Sequence, residues 1–188
     1  MLDINNLVQW QLKSPNGHVY PWWTHDFLTC IEKWDLSDKV ALEWGGGWSS
    51  IWLASRARRV FTIETNEKWI KDIQEYADSY NMKNLELIYR PCNEGDQSKI
   101  EYYTELPQDC SPDIVCVDGV LRLECIKKAM SLGRPIFLIV DNWQQSYVFM
   151  CPEAEEILKP FKSLVFEQKD HTDNDGINKW KTALFYLE

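Results

Sequence analysis

The chain has 188 residues, with 45% apolar and 26% charged side chains and a formal net charge of −9. That balance is globular rather than disordered, and the length suits one domain with a substantial core. The negative charge and the lack of a basic block argue against nucleic-acid partners and against an anionic membrane surface, and they disfavour phosphate-rich substrates.

The first 24 residues hold no clear period, apart from a turn cluster at Ser14-Pro15-Asn16-Gly17. Thr24 is placed to cap a helix reaching about residue 34, with Phe27, Leu28, Ile31 and Trp34 on one face. Residues 1–36 therefore read as an N-terminal helical segment. His18 and His25, with Tyr20, Trp22 and Trp23, either fold over a site as a lid or pack as part of that segment. The N-terminus lacks a basic region followed by an apolar one, so no signal peptide is read. No apolar run is long enough to span a bilayer. The expectation is a soluble, cytoplasmic protein.

Val40-Ala41-Leu42 is an apolar run too short for a helix, and it ends at Glu43-Trp44-Gly45-Gly46-Gly47. Three glycines in a row are used where the backbone needs φ > 0 or must lie against another molecule. Ser49 or Ser50 is a candidate cap for a helix over 50–57. A second strand covers 60–63 and closes on Glu64. A helix over 67–80 carries Trp69, Ile70, Ile73, Ala77 and Tyr80 at helical spacing. A third strand covers 85–89. Residues 91–112 are polar and irregular, with one short element around 99–103. A fourth strand spans 113–119 and ends on Asp118-Gly119. A helix through Leu123, Ile126, Ala129 and Met130 stops at Gly133. The fifth strand, 136–140, is uniformly apolar as a central parallel strand should be, and it closes on Asp141-Asn142. Pro152 opens a helix through Ala154, Ile157, Leu158 and Phe161. Strands at 163–168 and 181–187 flank a polar loop that contains His171. Six cysteines show no C-x-x-C pair and read as reduced, mostly buried thiols.

Alternating strands and helices imply a mainly parallel sheet with helices on both faces and a terminal strand pair. Ligands in such sheets sit outside the strand carboxyl ends, at the switch point. That rule selects Glu43 through Gly47, Glu64, Asn93, Asp118 and Asp141-Asn142 as candidate site residues. Glu64, about twenty residues after the turn, can accept both ribose hydroxyl protons of a nucleoside cofactor.

Leu42-Glu43-Trp44-Gly45-Gly46-Gly47, Ile63-Glu64 and Pro112-Asp113-Ile114-Val115-Cys116-Val117-Asp118-Gly119 resemble, in order, three motifs of class I S-adenosylmethionine-dependent methyltransferases. The likeness runs from about residue 40 to 142 and more loosely to the C-terminus. With Trp48-Ser49-Ser50 and Arg122 it also looks like a small bacterial subgroup whose turn reads Gly-Ser-Gly-Asn-Ser-Thr. The resemblance implies a Rossmann-like sheet, mostly parallel with a C-terminal antiparallel strand. It implies S-adenosylmethionine held by Glu43, Trp44, Gly45, Gly46, Gly47 and Glu64, with Thr65 and Asn93 or Glu94 near the adenine. Glu43 would attract the methionine ammonium, directly or through water. Trp44 and Trp48 depart from the small residues usual in this turn. They either pack inward or wall the cofactor near its sulfonium.

Methyl transfer needs alignment and, for a hydroxyl acceptor, a base. Asp118 and Asp141 are the candidate catalytic residues. With Asn142 they match strand-end positions at which catechol-type O-methyltransferases hold a divalent metal, so Mg²⁺ is a candidate. Those families carry a lysine shortly after the first Asp, where this chain has Arg122, a poor base. The implied function is methylation of a small molecule at oxygen, with a homo-oligomer possible. Two alternatives stand beside it. One is an NAD(P)-binding oxidoreductase, against which the third glycine of G-x-G-x-x-G is Ser50 here. The other is a non-catalytic S-adenosylmethionine-binding module.

Overall fold

The computed structural model describes residues 20–134, 136–143, 152–169 and 179–188. His18, His171 and the cluster at 14–17 lie outside them. Strands and helices alternate along the described chain as β1 (Val40–Trp44), α2 (Trp48–Ala54), β2 (Arg59–Glu64), α3 (Glu67–Ser79) and β3 (Leu85–Tyr89), preceded by α1 (His25–Ile31). The irregular stretch after β3 holds a 3₁₀ turn (Gln97–Lys99) and α4 (Ile100–Thr104). Then follow β4 (Ile114–Val117), α5 (Arg122–Met130), β5 (Ile136–Val140), α6 (Pro152–Leu158), β6 (Lys162–Lys169) and β7 (Lys179–Leu187).

The seven strands form one sheet in the order β3-β2-β1-β4-β5-β7-β6. The first five are parallel, and β7 runs antiparallel between β5 and β6. The chain reverses its winding between β1 and β4, so the turns that leave these two strands lie side by side there.

Alternation along each strand divides the core in two. Val40, Leu42 and Trp44 of β1, with Val115 and Val117 of β4, face Tyr103 of α4, Cys125 and Ile126 of α5 and Leu158 of α6. Ala41 and Cys116 face the other way, toward Phe27 and Ile31 of α1 and Trp52 and Leu53 of α2. Ile51 of α2 packs with Ile73 and Ala77 of α3. Helices therefore cover both faces. Trp23 stands edge-on to both Phe27 and Trp52, so one face of the described N-terminal segment packs into the core while Trp22 stays exposed. No helix among the described residues is long and apolar enough to cross a membrane.

Two expected caps differ. Thr24 is the N-cap of α1, but its hydroxyl makes no capping bond; its backbone N–H donates instead to Thr182 Oγ1 at 3.0 Å. The N-cap of α2 is Gly47, not a serine. Ser50 sits at the third helical position and reaches back to accept the Gly47 N–H at 3.0 Å.

Candidate functional site

The turn after β1 is locked from both sides. Gly45 has φ +92°, and a Cβ there would come within 2.3 Å of the Gly119 nitrogen in the turn after β4. A Cβ on Gly119 would lie 2.5 Å from the Tyr103 hydroxyl. These two glycines are required because two backbones touch. Gly47 is different: its φ of −178° is ordinary extended backbone, and the nearest atom to an added Cβ is 3.6 Å away.

The amide hydrogens of all three glycines are taken inside the protein. Gly45 N–H donates to the Ile63 carbonyl at 2.9 Å, Gly46 N–H to Glu64 Oε2 at 2.7 Å, and Gly47 N–H to Ser50 Oγ. The Gly46 carbonyl accepts from the Trp69 indole N–H at 2.6 Å. The turn presents shape and apolar contact and does not form a cradle of free N–H groups.

Glu64 Oε1 accepts from the backbone N–H groups of Thr65 and Asn66, both at 2.7 Å, and from the Thr65 hydroxyl. Asn66 in turn caps α3 by accepting the Trp69 N–H. The end of β2, the start of α3 and the glycine turn are thus one hydrogen-bonded unit. Oε2 carries a single described donor, so a lone pair remains for another group.

Glu43 points to the α2 side of β1 and is fully buried. Its Oε2 accepts from the Thr62 hydroxyl at 3.0 Å and from the Ser50 hydroxyl. Its Oε1 has no hydrogen-bond partner. Burial pushes the carboxyl up to about 7, while the neighbouring hydroxyls of Ser49, Ser50 and Thr62 hold it back. A buried acid with an unsatisfied oxygen costs free energy unless something donates to it.

Trp44, adjacent in a strand, must face the opposite way. It is fully buried, and its indole N–H donates to the Tyr103 carbonyl at 3.2 Å. Its ring therefore packs inward, which corrects the reading of this side chain as a wall of the cofactor. Trp48 is half-buried, edge-on to Trp69 at 5.7 Å and to Tyr76 at 5.4 Å. Asn93 is exposed on the loop after β3. Its neighbour Glu94 ties that loop to the turn after β4 by accepting the Leu121 N–H at 2.9 Å.

The ends of β4 and β5 are organised by Arg122. This side chain is 4% exposed and pairs with Asp118 Oδ1 at 3.0 Å. The same guanidinium donates to the carbonyls of Asp118, Gly119 and Asp141 and to Asn142 Oδ1. Asp141 is buried with its carboxylate turned to β7, where Trp180 donates to both oxygens at 3.1 Å and Thr182 to Oδ1 at 2.7 Å. Burial and the nearby Asp118 charge raise its pKa well above the ordinary value. Burial also raises Asp118, with the Arg122 charge opposing it.

Two corrections follow. Asp141 cannot act directly on an acceptor, because its oxygens are spent on β7. The expected triad does not assemble: the side chains of Asp118 and Asn142 meet on the Arg122 guanidinium, while Asp141 offers only its main-chain carbonyl. Among the described residues no group of three His, Cys, Asp or Glu side chains is gathered for a metal ion, and the Asp118, Asp141 and Asn142 set does not fit Mg²⁺ while Arg122 stands in it.

Sequence reasoning passed over Trp69 and the central place of Arg122. Nothing in the helical pattern of α3 separates Trp69 from a core aromatic. Arg122 lies four residues after Asp118, a spacing that was available as a signal.

No protein-family model matches the chain, and no curated protein matches it in sequence. Solved structures do. A methyltransferase-like protein from Silicibacter pomeroyi superposes with TM-score 0.63 at 18% identity, over 90% of this chain and 88% of that one. A precorrin-8w decarboxylase from Methanobacterium thermoautotrophicum gives 0.58 at 22% identity, over 94% and 96%. A SAM-dependent methyltransferase from Aquifex aeolicus gives 0.56 at 13% identity, over 87% and 90%. Together with the strand order and the antiparallel β7, these superpositions make the fold of this chain that of the class I S-adenosylmethionine-dependent methyltransferases.

Proposed function

We propose that the chain binds S-adenosylmethionine over the glycine turn and methylates a small molecule at oxygen. The observation that carries this reading is the turn itself, whose three glycine amides are all consumed internally while Glu43 and Glu64 flank it. A dinucleotide needs free N–H groups for its pyrophosphate. A nucleoside without phosphate needs only a close, smooth backbone and an acceptor for its sugar. Gly47, which no protein atom requires to be glycine, keeps that backbone bare.

In this reading Glu64 Oε2 receives a ribose hydroxyl, and Thr65 and Asn93 lie along the adenine. The unsatisfied Oε1 of Glu43 takes the positive ammonium, directly or through water, which draws the carboxyl back toward its ionised form. The cofactor, when bound, supplies a methyl group already activated on a positively charged sulfur. Asp118 would be the base: Oδ1 is held by Arg122, and Oδ2 would accept the proton that the acceptor hydroxyl gives up on methylation, the cofactor losing its sulfur–methyl bond and leaving as a neutral thioether. Its raised pKa suits a group that must take a proton. Asp141 acts at one remove, by fixing the end of β5.

Calorimetric titration with S-adenosylhomocysteine tests this. Binding in the micromolar range is expected, weakened roughly tenfold or more by Glu64→Ala as the sugar contact is lost. No binding at submillimolar concentration, or binding of NADH in its place, would remove the proposal.

A further inference from the structure

Arg122 converges on five oxygens from four residues. They are the carbonyls of Asp118, Gly119 and Asp141, together with Asp118 Oδ1 and Asn142 Oδ1. Such a set of carboxylate, amide and carbonyl oxygens is what a hard divalent cation takes. Asn142 adopts φ 51°, a left-handed conformation that bends the chain at the end of β5. The guanidinium is permanently charged and its fork is planar.

We infer that Arg122 is the resident cation of the β4–β5 end: it gathers the oxygens of Asp118, Asp141 and Asn142 that a divalent metal would otherwise collect, and presets Asp118 for its work. It is a positioning residue, since it is buried and acts through Asp118. Two cations cannot share this small set, because at such separations their repulsion in a buried site is large. The site therefore assembles without metal. The inference rests on the proposed function only in treating this end of the sheet as the acceptor side.

Thermal unfolding of the full chain provides the test, with Mn²⁺, EDTA or low guanidinium chloride as the additive. The wild type is expected to melt at one temperature in EDTA and in millimolar Mn²⁺. Arg122→Ala should lower the melting temperature by roughly 5 °C or more. Millimolar Mn²⁺ or guanidinium ion should restore part of that loss, because either refills the vacated positive position. Adding Asp118→Asn to Arg122→Ala should abolish the Mn²⁺ rescue, which general stabilisation would not do. Arg122→Lys keeps the charge without the fork and should fall between, with no response to Mn²⁺.

A chelator-reversible rise of the wild-type melting temperature in Mn²⁺ overturns the inference, as does an Arg122→Ala protein rescued by neither additive. If Arg122→Ala does not fold, the other two proteins decide: a Mn²⁺ response in the wild type or in Arg122→Lys overturns it, and none in either supports it. None of these readouts needs cofactor or acceptor. Failure to bind S-adenosylhomocysteine alongside these results would remove the methyltransferase reading alone.

Discussion

The turn after β1 and the end of β4–β5 both bury acids, but they settle them differently. Asp118 has an arginine on Oδ1, and both Asp141 oxygens are taken by Trp180 and Thr182. Glu43 has hydroxyls on one oxygen and, among the described residues, no hydrogen-bond partner on the other. A buried charge that is paired is part of the scaffold. One that is left half-served carries a desolvation cost, seen in its raised pKa, and in the proposed reading that oxygen receives the cofactor's ammonium.

The sharpest way to break this contrast is at the contact between the two regions. Gly45→Ala adds a Cβ 2.3 Å from the Gly119 nitrogen at φ +92°. Backbone meets backbone there, so neither side yields easily, and urea denaturation should show a loss on the order of 5 kcal/mol. Next in size is the paired end. Arg122→Met leaves the partly buried Asp118 and the carbonyls of Gly119 and Asp141 without their donor, and equilibrium unfolding should register a cost of about 3 kcal/mol. A loss under about 1 kcal/mol would mean the pair is effectively exposed.

Glu43 sharpens the comparison through pH. Its folded pKa lies above the ordinary value, so between the two the native state holds a proton that the unfolded chain has released. Its contribution is fully present below about 4.5 and is lost as pH rises through about 7. Over that window the loss is on the order of 3 kcal/mol. Glu43→Gln should remove this slope, leaving the variant more stable than the wild type at pH 8 and close to it at pH 4. If the Glu43 charge receives the ammonium, the same variant should bind S-adenosylhomocysteine more weakly at pH 8. The smallest effect is expected at Gly47→Ala. With ordinary φ and 3.6 Å of clearance, stability should change by less than about 0.5 kcal/mol. Affinity for S-adenosylhomocysteine should nonetheless fall, because the methyl group projects from the bare backbone. Unchanged affinity would separate that glycine from the cofactor surface.

The fold was largely legible because its signals are local. The uniform run at Ile136–Val140 marks a central strand, and the spacing of Ile73 and Ala77 marks the buried stripe of α3. The inward turn of Trp44 was one of two readings left open by the sequence; it follows only once Glu43 is known to face α2, since its neighbour in the strand must then face the opposite way. What could not be read are bonds between positions far apart in the chain. Trp180 and Thr182 find Asp141 some 40 residues away, and the Trp69 indole finds the Gly46 carbonyl across 23 residues. Periodicity says which face a side chain takes, but not which partner it meets there. The acids at the strand ends were correctly placed; the four-residue spacing hints at the Asp118–Arg122 pair, but the bonds from Arg122 to the Asp141 carbonyl and Asn142, 19 and 20 residues away, are not written in any spacing.

The position of β7 between β5 and β6 has a consequence for how the molecule is made. β6 leaves the ribosome first, yet its only strand neighbour in the described sheet is β7. Until the nine-residue β7 emerges, β6 has no strand partner among the described residues, Asp141 lacks its donors, and the Thr24 amide lacks the Thr182 hydroxyl. A strand made after both of its neighbours therefore inserts between them, and it fastens α1 as it does so.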